Sequence, residues 1–368
     1  MIISAVTVAY LDVPMHHPIK TPIGVIDAAC NVVVKIETHS GLVGWGETSP
    51  MSPITGETQR SVHAHAMDLA KLLIGKDACS LQQNLTQLRL FSGRSSGALN
   101  ALDMALHDLA AQHAGLPLYQ FLGGSRRDLE TDHTIGHQRS VADSVAMAQQ
   151  LVGDGFRTLK LKTGRKDFAD IEHVAAIRAA LGSSIKLRID CNQGWDFPEA
   201  VANARQLEKF AIEYLEQPLP AWDIDGFARL RKTINIPICA DESLFNHHDA
   251  LLLVKADAVD FMNIKLVKSG GIDTALKINS IAEAAGIRCM IGCFGESRLG
   301  LTAAAHLAVA RPNIHFIDLD SSLHFVSDPV DGGIQIVANA AGKIILPNGP
   351  GLDARFNESV LTNQQCIA

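Results

Sequence analysis

Five short apolar runs in the middle of the chain each close on a charged residue. Arg157–Lys162 carries Lys160 and Lys162, and Ile185–Asp190 ends on Asp190. Ile212–Glu216 ends on Glu216, Ile236–Asp241 on Asp241, and Val259–Lys265 on Lys265. From Asp190 to Glu216 is 26 positions, from Glu216 to Asp241 is 25, and from Asp241 to Lys265 is 24. A strand, a helix and their two loops need about 25 residues, because a parallel crossover must carry a helix back along the strand. The charged residues therefore recur at one point of successive strand-helix units, the strand C-terminus. In a closed parallel barrel these ends open on one face, and their side chains converge on one pocket.

Asp190, Glu216 and Asp241 offer three hard oxygen donors. Mg²⁺ prefers such oxygens, with water and substrate completing an octahedron. No His or Cys shares these positions, which disfavours zinc. One acid at a strand end often caps the next helix. Three in phase, with lysines on both sides, favour a cation site. Lys160 and Lys162 are two apart, so on a strand they share a side. Two interior ammonium groups repel and lose hydration, so lowered pKa values are expected. A neutral lysine is a competent base near pH 7. Lys265 lies four strands further on, across the pocket, whereas Lys268 reads as a loop lysine.

The elements that must hold these residues follow from the pattern. Strands are expected near 130–136, 157–162, 186–190, 212–216, 236–240, 258–264, 287–292 and 313–318, with helices between, such as Phe197–Lys209 and Ile272–Ala285. Eight strands alternating with helices favour an α/β barrel over an open sheet. Residues 1–125 read as a separate α+β unit. Ile2–Leu11, Asn31–Glu37 and Leu42–Trp45 look like strands, and helices are expected at 57–75, 80–88 and 94–115. The barrel spans 126–320, and the loop-rich segment 321–368 is expected to pack back on the N-terminal unit.

Composition narrows the class. Hydrophobic residues at 47% and charged residues at 19% describe a globular chain. A net charge of −7 argues against a nucleic-acid surface. No run of about 20 apolar residues predicts a membrane span. Met1–Val8 alternates like a strand and lacks a signal-peptide layout, so a cytoplasmic location is expected. Seven scattered cysteines make neither a disulfide framework nor a CxxC metal site, and Cys191, Cys239, Cys289 and Cys293, in or beside expected strands, read as small buried thiols.

Taken together, Lys160-x-Lys162, Asp190-x-Asn192, Glu216-Gln217-Pro218, Asp241-Glu242-Ser243 and Asn263-Ile264-Lys265 resemble the enolase superfamily, muconate-lactonizing enzyme subgroup. Gly44-Trp45-Gly46-Glu47 extends the likeness into the N-terminal unit. The resemblance implies a modified (β/α)7β TIM-like barrel with an N-terminal α+β capping domain. It also implies a Mg²⁺ cofactor on Asp190, Glu216 and Asp241, with Asn192 behind them. A substrate carboxylate would meet the metal, one lysine would take the α-proton, and the metal and Lys160 would stabilise the enediolate. Lys162 and Lys265 match the pair that works on opposite faces in racemases and epimerases.

Asp318 and Asp320 end the eighth strand, share a side, and could hold an ammonium group. Within the family this resembles the dipeptide epimerases, as do Thr131-Asp132-His133-Thr134 and Ile54-Thr55-Gly56-Glu57. Thr134 is therefore a substrate-binding candidate. The implied activity is interconversion of L,L and L,D dipeptides by 1,1-proton transfer at the C-terminal residue's α-carbon. Members acting on Ala-Glu carry an Arg shortly after a Pro-x-Lys-Thr segment. Here Pro18-Ile19-Lys20-Thr21 is followed by Gly24 in its place, which argues against Ala-Glu. Gly295 is expected to open room at the seventh strand. Two alternatives share the core: an N-acylamino-acid racemase or o-succinylbenzoate synthase, and a non-catalytic metal-binding relative. The family also implies a homo-oligomer and a small-molecule partner.

Overall fold

The computed structural model describes residues 1–22, 24–166 and 169–368. The N-terminal unit is built on an antiparallel sheet. Ile3–Thr21 pairs with Gly24–Thr38, which pairs with Val43–Thr48, and Thr362–Ile367 adds the outer edge beside Ile3–Thr21. Helices Gln59–Ala70, Leu81–Ser92 and Ser96–His113 accompany the sheet. The third is buried from Gly97 to Ala111, including its polar residues Asn100, Asp103, His107 and Asp108. Gly46 lets it approach: a Cβ there would lie 1.9 Å from Ala101 O.

The first two strands run well past the expected Ile2–Leu11 and Asn31–Glu37. They form a long hairpin whose register shifts between Pro14 and Ile19. Pro14, His16, His17 and Pro18 break the alternation there, which hides the extension in the sequence. Met15 is nevertheless buried and bridges to Phe325 beyond the last barrel strand.

The barrel strands are His133–Ile135, Thr158–Lys162, Lys186–Asp190, Ile212–Glu216, Ile238–Ala240, Phe261–Ile264, Arg288–Ile291 and Ile314–Ile317, parallel and in sequence order. Helices fill all seven crossovers. The first and last strands meet where the Asp132 N–H donates to Ile317 O at 3.3 Å. Arg188 crosses the same seam, donating to Asp132 Oδ2 at 2.8 Å and Ile317 O at 3.0 Å. Period-two alternation sets the layers. Leu187 and Ile189 pack in the apolar core, whereas Arg188 reaches that inner seam and Asp190 the polar centre.

The C-terminal segment touches both units. Lys343–Ile345 pairs with Leu129–Glu130 just before the first barrel strand, and Thr362–Ile367 pairs with the capping sheet. Among the described residues no helix is long and apolar enough to cross a membrane.

Candidate active site

Strand register brings Lys162, Asp190 and Glu216 side by side, as Lys162↔Asp190 and Asp190↔Glu216. Lys160 lies one inward layer below, in register with Arg188. Its Nζ is 3.1 Å from Asp190 Oδ2, 2.8 Å from Glu216 Oε2 and 2.8 Å from Asp318 Oδ2. Lys162 Nζ reaches the same Asp190 Oδ2 at 2.5 Å, so both lysines do share a side. Opposite them, Lys265 Nζ donates to Asp241 Oδ2 at 2.8 Å. Lys162 ends the second strand in the sheet order, and Lys265 directly follows the sixth.

The three acids are fully buried and do not cap helices. Those caps belong to Asp196, Asp223 and Asn246 further along the same loops. Asn192 and Gln217 follow Asp190 and Glu216 with φ of 39° each, a conformation costly for residues with a side chain. The turn at Gln217 is used: its Oε1 accepts from the N–H groups of Asp241 at 2.9 Å and Ser243 at 3.1 Å. Asn263 Nδ2 donates to Glu216 Oε1 at 2.7 Å. Asn192 Nδ2 donates to Glu242 Oε1 at 3.1 Å, and its N–H to Asp190 Oδ1 at 3.0 Å.

The charge balance is uneven. Burial would raise Asp190, but the ammonium groups of Lys162 and Lys160 hold it below the usual carboxylate range. Burial, then the neighbouring Asp190, push Glu216 up to about 7. Burial, then Asp241 and Asp190, push Glu242 up to about 8. Glu242 Oε2 is buried without a hydrogen-bond donor, and Glu216 Oε2 has the Lys160 ammonium at 2.8 Å. An all-oxygen donor set of crowded carboxylates, with Glu242 Oε2 unpartnered beside it, fits a hard divalent cation such as Mg²⁺. Asp190, Glu216 and Asp241 are not among the tightest ligand groups of the described residues. Those are His133, Asp320 and His324, and Asp132, Asp318 and Asp320, each with ligand atoms within 4.8 Å of one another.

Asp318 and Asp320 lie just beyond the last strand and line the same cavity of about 70 Å³ as Lys160, Lys162 and Lys265. Asp320 Oδ2 accepts the Thr134 N–H at 2.6 Å and faces His324 Nε2 at 3.4 Å. Thr134 and Asn192 line this cavity too.

Four expectations change. The Lys160 pKa is not lowered. Burial acts that way, but Asp318, Glu216 and Asp190 outweigh it at Lys160, and Asp241 does so at Lys265, so both are held high. Lys268 is not a loop lysine. It sits in the one-turn helix Leu266–Ser269, fully buried, and its Nζ bonds Asp241 Oδ1 and Asp241 O. Gly295 opens no room in the cavity, because a Cβ there would meet Ser49 Oγ at 3.1 Å and Ala29 Cβ at 3.3 Å. Gly24 is exposed at the hairpin end, and its neighbours Thr21 and Ile26 line the cavity instead. Sequence reasoning also missed His324 and Phe294, whose ring centre lies 4.4 Å from Lys265 Nζ. Phe294 stood beside the strand-seven end, but nothing marked its ring as pocket-facing.

Residues 143–360 match the family described as enolase C-terminal domain-like, and residues 3–123 match the mandelate racemase/muconate lactonizing enzyme N-terminal domain. A hydrophobic dipeptide epimerase of Enterococcus faecalis is 42% identical over 92% of this chain and 96% of that protein. The L-Ala-D/L-Glu epimerase of Bacillus subtilis is 40% identical over 93% of each. The crystal structure of the Cytophaga hutchinsonii dipeptide epimerase, complexed with Mg and D-Ala-L-Val, superposes with a TM-score of 0.97 at 39% identity over the whole of both chains. With residues 3–123 and 143–360 matched to its two domains on a capped (β/α)7β barrel, the chain belongs to the mandelate racemase/muconate lactonizing enzyme family of the enolase superfamily.

Proposed function

We propose that this protein is an isomerase, a dipeptide epimerase that inverts the α-carbon of the C-terminal residue. The observation that carries the reading is the placement of Lys162, at the end of the second barrel strand, and Lys265, directly after the sixth, in one cavity that also holds Asp318 and Asp320. Asp318 and Asp320 bind and orient the dipeptide's amino terminus. That anchoring sets the α-carbon between the two amines. Lys162 removes the α-proton from one face and Lys265 returns one to the other, and the roles exchange in the reverse direction. Lys160 places a fixed positive charge beside the oxygens that gain charge as the proton leaves. Asp190, Glu216 and Asp241 would hold Mg²⁺, which when bound supplies the rest of that charge stabilisation. Asn192 and Gln217 fix the directions of these ligands. A free amino terminus is what two acids lining the cavity select, which favours dipeptides over N-acylated amino acids.

Seven free cysteines suit a reducing, cytoplasmic compartment, and the family resemblance favours a homo-oligomer. The test of the activity is α-proton exchange in D₂O, followed by NMR across a dipeptide library. Wild type should exchange and epimerise with Mg²⁺ present. Lys162→Ala and Lys265→Ala should each lose epimerisation by about 10³-fold. If no dipeptide exchanges its α-proton, the reading is rejected.

A further inference from the structure

The walls of the cavity differ in kind from its floor. Met15, Ile19 and Ile26 come from the long hairpin, Met51 and Ile54 follow the strand Val43–Thr48, and Phe294 follows Arg288–Ile291. These six side chains are all apolar, and Thr21, from the same hairpin, adds one uncharged polar group. The cationic groups lining the same cavity belong to the floor and are already matched. Lys162 is on Asp190, Lys265 on Asp241, and Lys160 on Asp190, Glu216 and Asp318. Of the cavity's acids, Asp318 faces Lys160, and Asp320 faces His324 and the Thr134 N–H. Lys20, on the same hairpin, is exposed and is not part of the cavity lining.

From this separation of charge and apolar surface we infer that the substrates are dipeptides whose epimerised residue is aliphatic or aromatic, such as leucine, valine or phenylalanine, and not acidic or basic. The inference rests on the dipeptide-epimerase reading. A substrate carboxylate entering between Ile19, Ile26 and Ile54 would lose its water and find no uncommitted cation among the described lining residues. Diverting Lys162 or Lys265 to pair with it would remove a proton carrier. A basic side chain meets the same walls, and Asp320 is already committed to the amino terminus. An aliphatic side chain sheds its water there at no electrostatic cost, and each added methylene in such a pocket is worth roughly tenfold in selectivity.

The experiment compares kcat/KM for α-proton exchange with L-Ala-L-Leu, L-Ala-L-Phe, L-Ala-L-Glu and L-Ala-L-Lys. The Leu or Phe dipeptide is expected to exceed the Glu and Lys dipeptides by at least about 100-fold. Equal or greater kcat/KM for the Glu or Lys dipeptide overturns the inference while leaving the activity in place. Exchange with none of these and none of a wider dipeptide set overturns the activity itself. Ile26→Arg supplies a cation at a half-buried wall position. It is expected to lower Leu turnover and raise Glu turnover by about tenfold or more. The wild-type series decides the matter even if that variant fails to fold.

Discussion

The Ser297 hydroxyl donates to Glu47 Oε2 at 2.7 Å and so joins the capping domain to the barrel across 250 residues of chain. The same carboxylate accepts from the N–H groups of Ser297 at 3.0 Å and Gly300 at 2.9 Å, and from Asn31 Nδ2 at 2.7 Å. Glu47 therefore sits on the N-terminus of helix Arg298–Ala310, where backbone N–H groups point outward and a negative charge is favoured. Glu47→Ala would leave these buried donors without their acceptor. The expected loss of stability is about 3–5 kcal/mol, as for breaking one partner of a buried charged network. Glu47→Gln, which keeps an acceptor, should lose less. Urea unfolding of the three proteins checks this, and an alanine variant as stable as wild type would sink it.

Lys268 places its ammonium on Asp241 Oδ1 and Asp241 O, opposite the contact that Lys265 makes with Oδ2. Both carboxylate oxygens are thus held by an ammonium group. Lys268→Met removes that support while filling similar volume. Mg²⁺ affinity is expected to fall about 10- to 100-fold, the usual effect of losing a group that orients a metal ligand. Isothermal titration with MgCl₂ reads it directly. Unchanged affinity in a folded Lys268→Met protein would show that Lys268 only fills space.

Lys268 also marks where the sequence stops being legible. Asp190, Glu216 and Lys265 could be read because strand periodicity and the spacing of successive units are local, repeating signals. The one-turn helix Leu266–Ser269 is too short to leave a periodic trace, so the turn that swings Lys268 back under Asp241 was invisible. The cavity roof was hidden for another reason. Met15, Ile19 and Ile26 belong to the other domain and reach the barrel mouth only because the hairpin continues through Pro14 and Pro18. His324 lies in a single 3₁₀ turn after the last strand, where nothing in its neighbours' spacing points inward. The Asp318 and Asp320 pair was readable from its two-residue spacing, although the strand itself ends at Ile317.

Asp320 gives the cleaner test of how the amino terminus is held. Asp318 also binds Lys160 at 2.8 Å, so changing it would disturb the floor. Asp320→Asn keeps an oxygen for the Thr134 N–H and removes the charge. A charge-assisted hydrogen bond is worth about 1.5–3 kcal/mol, so kcat/KM for a free dipeptide is expected to drop roughly 10- to 100-fold. The N-acetylated dipeptide lacks the ammonium group and should respond little. Steady-state kinetics on both substrates separates the outcomes. Equal losses on both would mean that Asp320 acts through the fold and not through the substrate's charge.

Asp108 makes the stability of the capped assembly depend on pH. Its Oδ2 accepts the Trp45 N–H at 2.9 Å and its Oδ1 the Leu352 N–H at 2.8 Å, so it ties the third capping helix to the second domain's tail. Burial pushes its carboxyl from an ordinary 3.8 up to about 6, more than these two N–H groups pull it down. The folded chain therefore binds this proton more tightly than the unfolded chain does. The associated stability is present in full below about pH 4 and is lost as pH rises through about 6. The shift corresponds to on the order of 3 kcal/mol. Asp108→Asn cannot ionise, so it lacks this dependence, whatever constant offset the change of acceptor brings. Measured by urea unfolding from pH 4 to pH 7, the variant should gain on wild type by about that amount as pH rises. A difference between the two proteins that stays constant across this window would rule out Asp108 as the source.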